Sequence, residues 1–401
     1  MNKRSLKDLD PSSLAGRRVL VRADLNVPLE DGDVGDETRL RATLPTLRRL
    51  MDARARVVVI SHLGRPRGVH DATVSLRPVA RRLSELMGAP VGFAADLVGA
   101  EACETVEGLS DGGVAVLENT RFHPGETKND PELAHQLAGF AEVYVNDAFG
   151  AAHRAHASTE GVARAVREKG RPAVAGLLME RELDFLGRAL TEPERPFVAV
   201  LGGAKISGKI DVVQALLPRV DRLLVGGAMA NTFFLALGLE VGESLVEADR
   251  VAVARQTLEE AGDRFVLPVD CLVSERLEAG VKPRAVARSA VGAPDRIGDN
   301  GPASRALFTR ELSGARTVVW NGPMGVFELE PFREGTVAVA RAVADATDRG
   351  ALSVVGGGDS AAAAEVAGVT DRLSHVSTGG GASLEFLAGA DLPGVAALDD
   401  A

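Results

Sequence analysis

Cysteine is nearly missing from this sequence. The two that occur, Cys103 and Cys271, lie far apart without CxxC spacing, which excludes a disulfide or zinc framework and suits a reducing compartment. Long apolar runs are missing as well. No stretch approaches the roughly 18 apolar residues that a membrane span needs, and the opening MNKRSLKDLDPSS does not resemble a signal peptide. A cytoplasmic location is expected, with no membrane partner. Positive charge is not in excess either: the net charge of −10 argues against nucleic acid as a partner. No Ser–His–Asp arrangement or paired-carboxylate motif is present. No G-x-G-x-x-G follows the first apolar run, which disfavours a dinucleotide-dependent dehydrogenase.

Lysine is scarce too. Of 46 basic residues only seven are lysine, yet two of those, Lys205 and Lys209, stand four apart in LGGAKISGKI (201–210). Where arginine is the default cation, that pair suggests a need for a compact ammonium. Gly203, Gly208 and Lys209 mimic the glycine-rich phosphate loop of nucleotide hydrolases. That loop requires Ser or Thr next, to hold Mg²⁺, and here the next residue is Ile210. The charge that remains is uneven. Residues 1–170 hold 23 basic and 24 acidic residues, and the rest of the chain holds 23 and 32, so an anionic ligand is better sought in the first part.

At 401 residues, 45% apolar and 25% charged, two globular domains are expected. Apolar, β-branched runs alternate with amphipathic segments. RVLVRADLN (18–26), RVVVISHLG (56–64), GVAVLENT (113–120) and EVYVNDAF (142–149) read as buried strands. A second series follows in FVAVLGGA (197–204), DRLLVGGAM (221–229), RTVVWNGP (316–323) and LSVVGGGD (352–359). The pattern predicts an α/β fold of two doubly wound lobes with mainly parallel sheets. A connecting helix is expected at MERELDFLGRALTEPERP (179–196), with Leu183, Leu186 and Leu190 on one face.

Ligands of open α/β sheets bind at the carboxyl ends of the strands. In the first series those ends carry Asp24 and Asn26, then His62 and Arg65, then Arg121 and His123, with His153, Arg154 and His156 after the fourth strand and Arg39 opening a helix. A lone Arg in a loop is usually solvated and a lone His usually structural. Four such ends together suit a small, multiply charged anion, because guanidinium binds carboxylate and phosphate in bidentate fashion. The second series ends in glycine: GGAK, GGAMAN, NGPMG and GGGDS, with STGGGAS (377–383) ahead of a helix. Glycine lets backbone N–H groups approach phosphate, although tight strand-to-helix turns need it too. Asp359 is a candidate Mg²⁺ ligand or helix N-cap, and Glu328 a candidate for ribose hydroxyls or a cap. An anion-binding lobe and a nucleotide-binding lobe together suit phosphoryl transfer.

Together these stretches resemble phosphoglycerate kinases over essentially the whole chain. The matching runs are RADLNVP (22–28), SHLGRP (61–66), ENTRFHPGETKNDPE (118–132), VYVNDAFGAAHRAHAST (143–159), LGGAKISGKI (201–210), WNGPMGVFE (320–328), GGGDS (356–360) and STGGGAS (377–383). The resemblance implies reversible phosphoryl transfer between 1,3-bisphosphoglycerate and ADP, giving 3-phosphoglycerate and ATP. It also implies Mg²⁺ as Mg-ADP or Mg-ATP and a monomer. The implied organisation is a glycerate-binding lobe over 1–170 with the tail 390–401, a hinge helix over 171–195, and a nucleotide lobe over 196–389. Asp24, Leu25, Asn26, Arg39, His62, Leu63, Gly64, Arg65, Arg121 and Arg154 would hold the glycerate ligand, Arg39 also serving the phosphoryl group in flight. Lys205 and Lys209 would be catalytic, with Lys205 also on the nucleotide phosphates. Glu328, Gly357, Gly358, Asp359 and Ser360 would bind nucleotide, Asp359 also taking the metal. Gly379, Gly380 and Gly381 would turn a helix N-terminus toward the transferring group.

On this reading the phosphate-loop likeness is accidental and Ile210 is a core position of the following helix. Gly208, Ala228 and Asn300 depart from the family's usual Asp, Gly and Ile, and the segment before Asn300 is unusual. A phosphate-loop hydrolase leaves the arginine rim without a purpose. A non-catalytic binding protein would be expected to have lost Arg39, Lys205 or Asp359 first.

Overall fold

The computed structural model describes residues 2–401, which divide into two compact units, 2–184 with Asp391–Ala401, and Phe185–Ala390. Each is built on a six-stranded, wholly parallel sheet. In the first unit the strands are β1 (Arg18–Arg22), β2 (Arg56–Ile60), β3 (Val91–Ala94), β4 (Val114–Leu117), β5 (Val143–Asn146) and β6 (Ala173–Ala175), in the order β3-β4-β2-β1-β5-β6. The central strands are buried on both faces, so their sequences are near-continuous apolar runs (RVVVI, VAVL, VYVN) rather than alternating ones. Helix α1 (Thr38–Asp52) covers one face with Leu40, Leu44, Leu47 and Leu50, all buried at helical spacing.

The second unit has β7 (Phe197–Leu201), β8 (Arg222–Val225), β9 (Phe265–Val266), β10 (Asp270–Ser274), β11 (Arg284–Ala287), β12 (Arg296–Asn300), β13 (Thr317–Asn321), β14 (Leu352–Gly356) and β15 (His375–Val376). Its main sheet runs β9-β8-β7-β13-β14-β15, and β11-β10-β12 form a separate antiparallel sheet. That small sheet contains the unusual segment before Asn300, which sequence periodicity does not reveal. β11 is mostly exposed and carries no apolar alternation, and β10 is buried only at alternate positions.

The connecting helix α2 spans Leu177–Thr191, with Leu183, Leu186 and Leu190 buried. This is shorter than the expected 171–195. Residues 173–175 pair with β5 as the last strand of the first sheet, so the first unit continues past residue 170 and the division falls inside α2. The C-terminal segment belongs to the first unit. Its short helix (Pro393–Ala396) donates from Gly394 N to Ala152 O at 2.8 Å and accepts from Asn146 Nδ2 at Gly394 O at 3.0 Å.

Candidate active site

In the first unit the carboxyl ends of β1, β2, β4 and β5 bring the expected cations together. Arg39, the second residue of α1, turns back to β1: its Nη1 donates to Asn26 O at 2.7 Å and to Asp24 Oδ1 at 3.4 Å. Asn26 Oδ1 accepts from Gly64 N at 2.9 Å, tying the β1 and β2 loops together. Gly64 sits at φ +61, and a Cβ there would stand 2.8 Å from Val74 Cγ1, so this turn requires glycine. Arg121 Nη1 donates to Gly64 O at 2.6 Å, while its buried Nε has no partner. Burial, then Arg22 and Arg154, push the Arg121 guanidinium down to about 10; Arg65 acts in the same direction, and Glu126 opposes. Arg65 and Arg154 are exposed. A cluster of cations this poorly offset by carboxylate is arranged for an anion.

The side chains of Leu25 and Leu63 point into the hydrophobic core rather than into the rim. Both are buried in the core, and their N–H groups donate to Ser61 Oγ and Asn119 Oδ1; they shape the loops. His123 is part of a turn, accepting from Gly125 N at 3.1 Å. His156 lies beside buried Glu126, and burial brings its imidazole down to about 4. Arg22 was not legible as a site residue. It ends β1 and is almost fully buried, where sequence alone suggests an exposed strand end. Only the structure reveals its partners, Ser158 and His62.

The second unit holds a cavity of about 350 Å³ beside the carboxyl ends of β7, β8 and β13, walled by Gly203, Gly227, Asn300, Met324, Glu328 and Asp359 among others. Glu328 and Asp359 are exposed. Asp359 lies in the first turn of α3 (Gly358–Val366), whose N-cap is Gly357 at φ +95; the aspartate is therefore not the cap. Gly358 and Gly380 face open space, so backbone approach there is unhindered. Gly380 opens α4 (Gly380–Leu387), with Gly379 as its N-cap and Gly381 exposed. Other glycines serve the turns instead. A Cβ on Gly202 would meet Pro323 O at 2.1 Å, and one on Gly227 would meet Gly203 N at 2.6 Å. Ser360 is buried, and its Oγ accepts from Gly322 N at 2.6 Å.

The two lysines occupy different environments. Lys205 is exposed. Lys209 is half-buried and donates to Gly202 O (2.6 Å), Asn321 Oδ1 (2.7 Å) and Asn321 O (3.0 Å), bracing the β7 and β13 loops. Burial brings its ammonium down to about 8, and Asp359 opposes that shift. Ile210, expected in the core, is only half-buried at the start of the helix Ile210–Leu216; Val212, Val213 and Leu216 carry its packing.

The comparisons agree with this architecture. The family model described as phosphoglycerate kinase matches residues 6–390. The chain is 54% identical over 407 residues to the phosphoglycerate kinase of Chloroflexus aurantiacus and 52% identical over 406 residues to that of Chlorobium limicola, each covering all of both chains. Among solved structures, the phosphoglycerate kinase of Coxiella burnetii superposes with a TM-score of 0.88 at 41% identity, and that of Pyrococcus horikoshii with 0.85 at 36%. Each alignment covers 98% of both chains. On sequence and on fold, this chain belongs to the phosphoglycerate kinase family.

Proposed function

We propose that the chain catalyses its family's reaction, reversible phosphoryl transfer between 1,3-bisphosphoglycerate and ADP, with the first unit holding the glycerate ligand and the second the nucleotide. The observation that carries this reading is the arginine rim, where Arg121 Nε is buried without a partner and burial together with neighbouring arginines weakens its hold on its proton. An anion with phosphate and carboxylate groups would relieve both. In this role Arg39, Arg65, Arg121 and Arg154 take the phosphate and carboxylate oxygens, and Asp24 and Asn26 orient the ligand by hydrogen bonds. Glu328 takes the ribose at the cavity mouth, Lys205 the nucleotide phosphates, and the Gly379–Gly381 helix start the transferring group.

Asp359 would hold Mg²⁺. Its single exposed carboxylate beside the cavity suits an ion that arrives on a nucleotide and takes few protein ligands, and no group of three or more potential ligands forms a separate cage among the described residues. The bound ion would neutralise phosphate charge. The protein's part is positioning and electrostatic stabilisation, since phosphoryl transfer asks little covalent chemistry of it. Lys209, with three internal acceptors, fits bracing of the loops around Lys205 better than direct contact. We further read the enzyme as a monomer of the cytoplasm; no described helix is long and apolar enough to cross a membrane.

The test is a coupled assay with ATP, Mg²⁺ and 3-phosphoglycerate, following the bisphosphate product through NADH consumption. Turnover is expected, and Arg39→Ala and Lys205→Ala should each lower kcat by about 10³-fold or more, the usual contribution of one cation at a phosphoryl transition state. ATP hydrolysis that ignores 3-phosphoglycerate would overturn the reading, and binding of both ligands without turnover would favour a non-catalytic role.

A further inference from the structure

Arg22 is 1% exposed, and nothing in the mechanism above uses it. Each nitrogen of its guanidinium has a partner inside the first unit. Nε donates to Ser158 Oγ at 2.8 Å, Nη1 donates to Ala23 O, and Nη2 lies 2.9 Å from His62 Nδ1. The charge is balanced one side chain away: Ser158 Oγ donates to Glu126 Oε1 at 2.6 Å and Ser158 N to Glu126 Oε2 at 2.9 Å. Glu126 is wholly buried. A buried ion pair bridged by a serine is costly to build unless every member is bonded, and here each has partners.

The direction of the Arg22–His62 bond follows from chemistry. Guanidinium has five donors and no acceptor, and it does not lose its proton in proteins. The nitrogen facing it must therefore be a bare lone pair. An imidazole whose Nδ1 is bare is neutral and carries its proton on Nε2. We propose that Arg22 is a positioning residue that fixes His62 as the neutral Nε2–H tautomer, leaving a hydrogen-bond donor without charge within the arginine rim. The charged surroundings favour the same state. Burial, then Arg22, Arg121 and Arg39 and also His156, hold the His62 imidazole well below its ordinary value.

The consequence is a division of labour on the rim. The arginines supply charge to the ligand, and His62 supplies a donor whose protonation state does not change across neutral pH. A histidine that titrated near 6.5 would make ligand affinity vary with pH just where the enzyme works. This role rests on the reading that the rim binds the glycerate ligand; the tautomer does not.

Two-bond proton–nitrogen correlation spectra of the ligand-free, full-length protein decide the tautomer. His62 is expected to show a bare Nδ1 and a protonated Nε2, unchanged between about pH 5.5 and 8. A protonated Nδ1, or titration within that range, would overturn the proposal. Arg22→Lys keeps the charge but loses the fork. It should release His62 to a mixture of tautomers, raise KM for 3-phosphoglycerate by about tenfold with a smaller change in kcat, and give that KM a pH dependence that the parent lacks. If Arg22→Lys folds and leaves the His62 spectrum unchanged, the positioning role is wrong. If it does not fold, Ser158→Ala, which detaches Arg22 Nε from its anchor and leaves Nη2 free to bond His62, should shift the His62 nitrogen signals; unchanged signals would count against the coupling. Calorimetry with 3-phosphoglycerate separates the two claims. No binding by the parent, with the bare-Nδ1 spectrum intact, would bring down the rim reading and the recognition role while the tautomer stands.

Discussion

At the scale of single residues, this protein keeps several ionisable groups in places that oppose their usual charge. Asp299 is 2% exposed and its Oδ2 accepts from Gly335 N at 2.6 Å, while Oδ1 has no partner. Burial pushes its carboxyl up to about 7, against the opposing hydrogen bonds of the Gly335 and Asn300 N–H groups. A carboxyl at 3.8 in the unfolded chain and near 7 in the folded one binds a proton on folding between those values. Its stabilising contribution is complete below about pH 4 and is lost as pH rises through about 7. The loss is at most about 4 kcal/mol for a shift of that size. Asp299→Asn retains an oxygen for Gly335 N without the charge, so it should leave stability near pH 4 little changed and raise it at pH 8.5. Urea unfolding of parent and variant at the two pH values checks this; equal pH slopes would refute it. Such residues were only partly legible in sequence. The rim arginines could be picked out as candidates because strand ends are known ligand positions. Arg22 and Asp299 could not, because burial and orphaned atoms are properties of the packed chain.

At the scale of elements, the parallel strands were legible because both their faces are buried and their composition is correspondingly uniform. The short edge strands β9 and β15, two residues each, and the half-exposed antiparallel sheet carry no such signal. The connecting helix was legible from its apolar face at 179–196 and in fact starts two residues earlier, at Leu177; only the 171–195 bounds implied by the resemblance begin too early, because Ala173–Ala175 is too short a strand to read. What starts α2 is instead a buried carboxylate from another element. Asp147, just after β5, accepts at Oδ1 from Leu178 N at 2.9 Å and from Met179 N at 3.3 Å. A Cβ on Gly176 would stand 2.1 Å from that oxygen, so the preceding turn requires glycine. Burial raises the Asp147 carboxyl to about 6, yet either protonation state leaves an oxygen for the two N–H groups. Asp147→Ala would leave both donors without an acceptor and should cost about 1–3 kcal/mol, with fast hydrogen exchange confined to the first turn of α2. Asp147→Asn should preserve protection of Leu178 and Met179. Mass-resolved exchange on both variants is the measurement, and equal protection in the alanine variant would show that the helix start is held by something else.

At the scale of the whole molecule, the chemistry sets a requirement that neither unit meets alone. On the proposed reading, the first unit's cations would hold the glycerate ligand, and the second unit's cavity, with Lys205 and Asp359, would hold the nucleotide. A phosphoryl group passes between two oxygens only when they are nearly in contact, and positioning of that kind contributes much of the rate. Water must also be kept away, or ATP would be hydrolysed in place of transfer. A ligand on one unit and a ligand on the other therefore call for domain closure during turnover, and the continuous helix α2, in which the division of the chain falls, is the element that would transmit it. Small-angle scattering should show a smaller radius of gyration with 3-phosphoglycerate and Mg-ADP together, and little change with either alone. The same experiment on Arg39→Ala tests what drives closure. If the arginine acts on the transferring group, the variant should still compact with both ligands while turning over slowly; if it failed to compact, Arg39 would be working through closure instead. An unchanged radius in the parent with both sites saturated would remove closure from the mechanism and require the two ligands to meet without it.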